Sequence, residues 1–211
     1  SPPDSVSSIG EVLSSLKGSF REGELDRVVI GTTLVLNAAV QGRMERCGCL
    51  LIPGPGLDPR LAMKGDLNHV VDGYIDHRGR RVEDLIHSQV VDFTAEEVGC
   101  YAVVGKFSTR NPELEREASG LMPDLPLSMG HQAGGDLSFP RRAASTVLNA
   151  KSLPLLRSFL DELDTAMEGE GIRAPVYLVK SDGAMLSKGA ASELPAATLR
   201  SGPAASTLGL M

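Results

Sequence analysis

Three short apolar runs in the chain each lead into side chains that could do chemistry. Gly31-Thr32-Thr33 follows Val28, Val29 and Ile30 and precedes a stretch that reads as a helix ending at Gly42. Where a strand passes into a helix, hydroxyls and free backbone N–H groups can meet an anion or a substrate carbonyl. The same threonines can equally cap the helix, and Asn37, one turn on, can support them or face solvent. Gly130-His131 ends a second run, with Asp136 nearby and Arg141-Arg142 opening a helical stretch. A histidine in that position suits proton transfer or metal ligation. The other histidines, His69, His77 and His87, complete no ligand spacing with it, so no metal is expected. Lys180-Ser181-Asp182-Gly183 ends the third run. Reactive groups gather at the carboxyl ends of strands in α/β sheets, although an Asp-Gly pair also makes a turn that satisfies its own backbone. Near the end, Ser201-Gly202-Pro203-Ala204-Ala205 places small residues at a helix start, where backbone can approach a nucleotide or another helix closely.

Holding a triphosphate takes more than these. Glycine-containing hairpins of the form Asp-x-Gly-x-Thr cradle phosphate with backbone N–H groups while their Asp holds metal or water. Asp72-Gly73 and Asp182-Gly183 are the two Asp-Gly pairs, and neither continues into such a hairpin. No P-loop, dinucleotide turn, zinc-protease helix or nucleophile elbow is present. Cys47, Cys49 and Cys100 are an odd set without zinc spacing and read as small buried residues.

The elements that must position these groups follow from periodicity. Residues 5–18 repeat apolar positions at helical spacing, 26–31 read as a strand, 32–42 as a helix and 47–52 as a strand, an α/β succession. Residues 69–92 alternate short apolar runs around the polar turn 77–80 and read as a hairpin in a β-rich insert. Strands at 100–107 and 125–129 bracket a helix opened by Pro112. Helices at 141–150 and 152–168 precede a strand at 175–180, and Ser201 begins another helix. A boundary is expected between residues 120 and 137.

Of 211 residues, 42% are hydrophobic and only 4% aromatic, so the core must be aliphatic. The net charge of −6 argues against non-specific binding to nucleic acid or anionic membrane. No run reaches the length of a membrane helix and the first residues do not form a signal peptide, so the cytoplasm is the expected compartment.

Taken in order, several strings resemble the hydantoinase/oxoprolinase A family. They are Ile-Gly-Thr-Thr-Leu-Val-Leu-Asn-Ala (30–38), Val-Gly-Lys-Phe-Ser-Thr-Arg-Asn-Pro-Glu (104–113), the stretch from Gly-His-Gln to Ser-Thr-Val-Leu-Asn-Ala (130–150), Pro-Val-Tyr-Leu-Val-Lys-Ser-Asp-Gly (175–183) and Leu-Arg-Ser-Gly-Pro-Ala-Ala-Ser (199–206). The resemblance implies part of an actin-like (ribonuclease H-like) ATPase fold, α/β, with a mixed sheet flanked by helices and a β-rich insert. It implies residues 1–125 as the end of an N-terminal hydantoinase/oxoprolinase domain and 126–211 as the start of a second domain. The family's two phosphate hairpins are expected upstream of residue 1 and downstream of Met211. The implied activity is ATP- and magnesium-dependent hydrolysis of a small cyclic amide by the parent protein, with this piece inactive alone. A second, hydantoinase B-type subunit and a homo-oligomer are the implied assemblies. Thr32, Thr33, Asn37, Ser201 and Gly202 would line the nucleotide cleft, with His131, Lys180 and Asp182 as catalytic groups. An ATP-dependent carboxylase subunit and a non-catalytic binding or regulatory module are the alternative readings.

Overall fold

The computed structural model describes residues 11–15, 25–94, 97–134, 137–199 and 201. Two compact units emerge, Ser1–Arg43 with Leu155–Met211, and Met44–Pro154. In the first unit residues 11–15 are helical with Leu13 buried, and β1 (Val28–Ile30) turns at Gly31 into α1 (Leu34–Val40). Val35 and Ala38 of α1 face inward, three residues apart as a helical stripe requires.

The second unit runs through β2 (Cys47–Ile52), β3 (Leu67–Val70), β4 (Tyr74–Ile75), β5 (Arg81–Glu83), α2 (His87–Phe93), β6 (Cys100–Gly105), α3 (Glu113–Ser119), β7 (Leu127–Met129) and α4 (Gly130–Ala133) into the start of α5 (Phe139–Gly169). Its four-stranded sheet has the order β3-β2-β6-β7, every pair parallel. Every residue of β2 and β6 is buried, as strands covered on both faces must be. Their register sets Cys47 opposite Cys100 and Leu51 opposite Val104. Side chains alternate across the sheet. Cys47, Cys49, Leu51, Cys100, Ala102 and Val104 pack on Phe139, Ala143, Val147 and Ala150 of α5. Leu50, Ile52, Tyr101 and Val103 pack on Val90 and Phe93 of α2 and Leu114 and Ala118 of α3. The three thiols are buried as expected; burial pushes Cys49 up to about 12, and the hydrogen bond with Cys100, followed by burial, raises Cys47 further.

Three expectations change in this unit. The hairpin is confined to β4 and β5, around a turn at Asp76–Arg80. Leu67–Val70 instead joins the parallel sheet, and His87–Phe93 is helical because Val90 and Phe93, three apart, bury one side against β6. The compact units divide the chain at 43/44 and 154/155.

The two helices expected over 141–168 are one 31-residue helix, α5, with Pro154 inside it. The proline removes a single backbone donor at the junction between the units. Beyond it Leu156, Leu160, Leu163 and Met167 form one stripe over β8 (Val176–Val179) of the first unit. Here β1 and β8 pair in parallel, and β9 (Met185–Ser187) returns antiparallel to β8 before α6 (Lys188–Glu193). No helix among the described residues is long and apolar enough to cross a membrane.

Candidate functional site

Parallel pairing decides what the first unit can gather. Val28 lies opposite Val176 and Ile30 opposite Leu178, so the chain leaves β1 at Gly31 and β8 at Lys180 on the same edge. Five residues selected from the sequence stand there: Thr32, Thr33 and Asn37 after β1, and Lys180 and Asp182 after β8. Ser201 joins them, for its buried hydroxyl accepts the Thr32 N–H at 3.2 Å and donates to the Thr32 carbonyl at 2.8 Å. Gly202 lies outside the described residues.

Local bonds orient each side chain. Thr32 Oγ1 accepts the Leu34 N–H at 3.1 Å, and Thr33 Oγ1 accepts from Asn37 Nδ2 at 3.2 Å across one helical turn. Both hydroxyls act as acceptors within the chain and keep an O–H to donate outward. Thr33 and Asn37 are exposed, Thr32 half-buried. In the turn between β8 and β9, Lys180 Nζ donates to Asp182 Oδ2 at 2.8 Å and the Ala184 N–H to Oδ1 at 3.0 Å, with Gly183 at φ +84°. The lysine ammonium first, then that amide, hold the Asp182 carboxyl below the usual carboxylate range. The turn thus satisfies itself and still presents one ammonium and one carboxylate to solvent.

His131 belongs to the second unit, in α4 directly after β7. Of its neighbours, Glu115 was not singled out in the sequence. Glu115 of α3 is fully buried and takes three donors: the Gly105 N–H at 2.7 Å on Oε1, and the His131 N–H at 2.9 Å and ring Nδ1 at 2.6 Å on Oε2. Arg142, in the first turn of α5, is also wholly buried; its guanidinium donates to the carbonyls of Gly105 and Lys106 at 2.6 and 2.5 Å. Gly130 makes room for the pair, because a Cβ there would lie 2.6 Å from Glu115 Oε1. The carboxyl ends of β6 and β7 thus carry a polar layer over an apolar sheet. Beside it a small cleft is lined by Ile52, Ile75, Lys106, Phe107, Ser108, Asn111 and Glu115. Glu115 escaped notice because a glutamate in the first turn of a helix ordinarily complements the helix dipole from the surface; nothing local marks its burial. Among the described residues, no three of His, Cys, Asp and Glu come together as a metal site.

Comparison with known proteins places this geometry. Residues 1–123 match the family described as Hydantoinase/oxoprolinase N-terminal region, and residues 142–211 match Hydantoinase/oxoprolinase. Caprolactamase subunit alpha of Pseudomonas jessenii is 25% identical over 209 residues, covering 86% of this chain and 30% of the relative. An uncharacterised protein of Methanocaldococcus jannaschii is 27% identical over 105 residues, 48% of this chain and 15% of the relative. Among solved structures, the ATP-dependent caprolactamase of Pseudomonas jessenii superposes with a TM-score of 0.76 at 23% identity, over 93% of this chain and 33% of that one. Nucleotide-free acetone carboxylase superposes with a TM-score of 0.80 at 17% identity, over 98% of this chain and 35% of that one. The chain spans about a third or less of the length of these relatives. The α/β fold with mixed sheets is the one these structures share, and the matched regions together show that this chain belongs to the hydantoinase/oxoprolinase family.

Proposed function

We propose that the chain supplies part of the nucleotide- and substrate-handling machinery of a larger ATP-dependent enzyme that hydrolyses the C–N bond of a small cyclic amide. The observation behind this reading is the shared edge of β1 and β8, where Thr32, Thr33, Asn37, Lys180, Asp182 and Ser201 follow the two parallel strands. Ligands of open α/β sheets sit at such edges. The donor set suits phosphate oxygens and an amide carbonyl: two outward O–H groups, a side-chain amide and an ammonium. Ser201 ties the chain before Gly202 to the β1 edge, so both approach the ligand from one rigid frame. When bound, ATP with magnesium supplies the phosphoryl group that activates the amide oxygen towards water. At this edge Lys180 would balance the negative charge of the phosphates and the threonines would orient them; His131, in the second unit, is assigned separately as a proton-transfer group. The kinship with a caprolactamase alpha subunit supports a companion subunit of hydantoinase B type as the partner.

The test is ADP release by the full-length protein with its companion subunit, offered a panel of cyclic amides or, separately, a ketone with bicarbonate. Cyclic amide-dependent ADP release with a ring-opened product is the expected result. Release only with ketone and bicarbonate would make the enzyme a carboxylase. No stimulated release in either arm would leave a binding or regulatory role and sink the enzymatic reading.

A further inference from the structure

We propose that Glu115 is a positioning residue that fixes the tautomer and direction of the His131 ring, so that Nε2 is the atom that exchanges a proton during the reaction. The second half of this statement rests on the role given to His131 above; the first half stands on geometry alone. An ionised carboxylate can only accept hydrogen bonds. Oε2 of Glu115 lies 2.6 Å from His131 Nδ1 and also accepts the His131 main-chain N–H at 2.9 Å. The proton must therefore sit on Nδ1, which leaves the Nε2 lone pair as the basic site of the neutral ring. Holding backbone and ring with one oxygen also removes the freedom of the side chain to turn away. A carboxylate behind an imidazole serves the same purpose wherever the far nitrogen must present one defined face.

The surroundings leave little else for this carboxylate to do. Its side chain is 0% exposed and its other oxygen is taken by the Gly105 N–H, while the His131 side chain keeps 14% of its surface. Among the described residues, Nε2 has no hydrogen-bond partner; Asp136 lies outside them. The charged groups facing the pair are Glu115 itself, from α3, and Arg142, from α5, whose guanidinium lies beside Gly130 and bonds the Gly105 and Lys106 carbonyls. The pair also stands where β6 and β7 end, the side of a parallel sheet on which reacting groups collect.

Long-range 1H–15N correlation on the 211-residue chain, labelled at histidine, reads the tautomer without any variant. In the neutral ring, His131 should show the Nδ1–H form; the Nε2–H form would overturn the proposal outright. Glu115→Gln should let the ring populate the Nε2–H tautomer, since the carboxylate that accepts from Nδ1 is gone. In the full-length enzyme the same variant should cut kcat about tenfold, leaving KM for ATP unchanged. An unchanged tautomer in the variant would refute the positioning role. A changed tautomer with an unchanged kcat would instead refute the proton-transfer role of His131 and with it the second half of the proposal. If Glu115→Gln does not fold, the wild-type tautomer still decides.

Discussion

Asp76, a buried carboxyl with several partners, shows what such partners do to its chemistry. It anchors the turn between β4 and β5: Oδ1 accepts the N–H groups of Arg78 and Arg80, and Oδ2 pairs with the Arg80 guanidinium at 2.8–2.9 Å. The Arg80 amide above all pulls its carboxyl down to about 2, against the opposing effect of desolvation. Because the folded pKa is depressed, the stabilisation is fully present above the ordinary carboxylate range, near pH 4, and is lost as pH falls through about 2. Urea midpoints of the wild type should therefore drop steeply from pH 4 to pH 2, and those of Asp76→Asn should start lower and drop less. Parallel curves for the two proteins would show that Asp76 is not the group responsible. At this scale what was legible in the sequence is the set of strand ends and turns on which Thr32, Thr33, Lys180, Asp182 and His131 stand. The sequence was silent on the burial of Glu115 and Arg142, whose types belong on surfaces and whose partners lie ten or more residues away.

Elements were easiest to read where one periodicity dominates. The fully buried β2 and β6 and the stripe of Leu156, Leu160, Leu163 and Met167 are continuous signals, and each stands where expected. Short amphipathic pieces misled: Leu67–Val70 and His87–Phe93 carry similar mixtures of apolar and polar residues, yet one is a parallel edge strand and the other a helix. Tertiary packing decided between them, as it does for β-branched runs generally. Packing also explains a glycine that no turn signal would select. A Cβ on Gly65 would lie 2.6 Å from the Leu67 carbonyl oxygen, 2.7 Å from Cys49 Cβ and 2.9 Å from the Cys47 carbonyl oxygen. Two of those atoms are backbone and cannot swing aside. Gly65→Ala should therefore destabilise the β2–β3 pair by roughly 3 kcal/mol, read as a shift of the denaturation midpoint. Gly189→Ala, with nothing near its added methyl, should stay within about 1 kcal/mol of wild type; equal effects of the two would contradict the crowding at Gly65.

For the molecule as a whole, the segment Met44–Pro154 interrupts in sequence a unit whose two outer segments pair through β1 and β8. That arrangement escapes a residue-by-residue reading, because β1 and β8 are strands about 150 residues apart that become neighbours only on folding. The ordered strings of the sequence nonetheless pointed to the hydantoinase/oxoprolinase family, to which the chain belongs. Our account rests on the β1–β8 edge acting as a nucleotide-facing surface. Calorimetric titration of the full-length protein with Mg-ATP, alongside Thr33→Ala and Asp182→Ala, tests this most directly, since both side chains are exposed and neither holds the core together. The account predicts about tenfold weaker binding in each variant with an unchanged unfolding temperature. Wild-type affinity in both would contradict it.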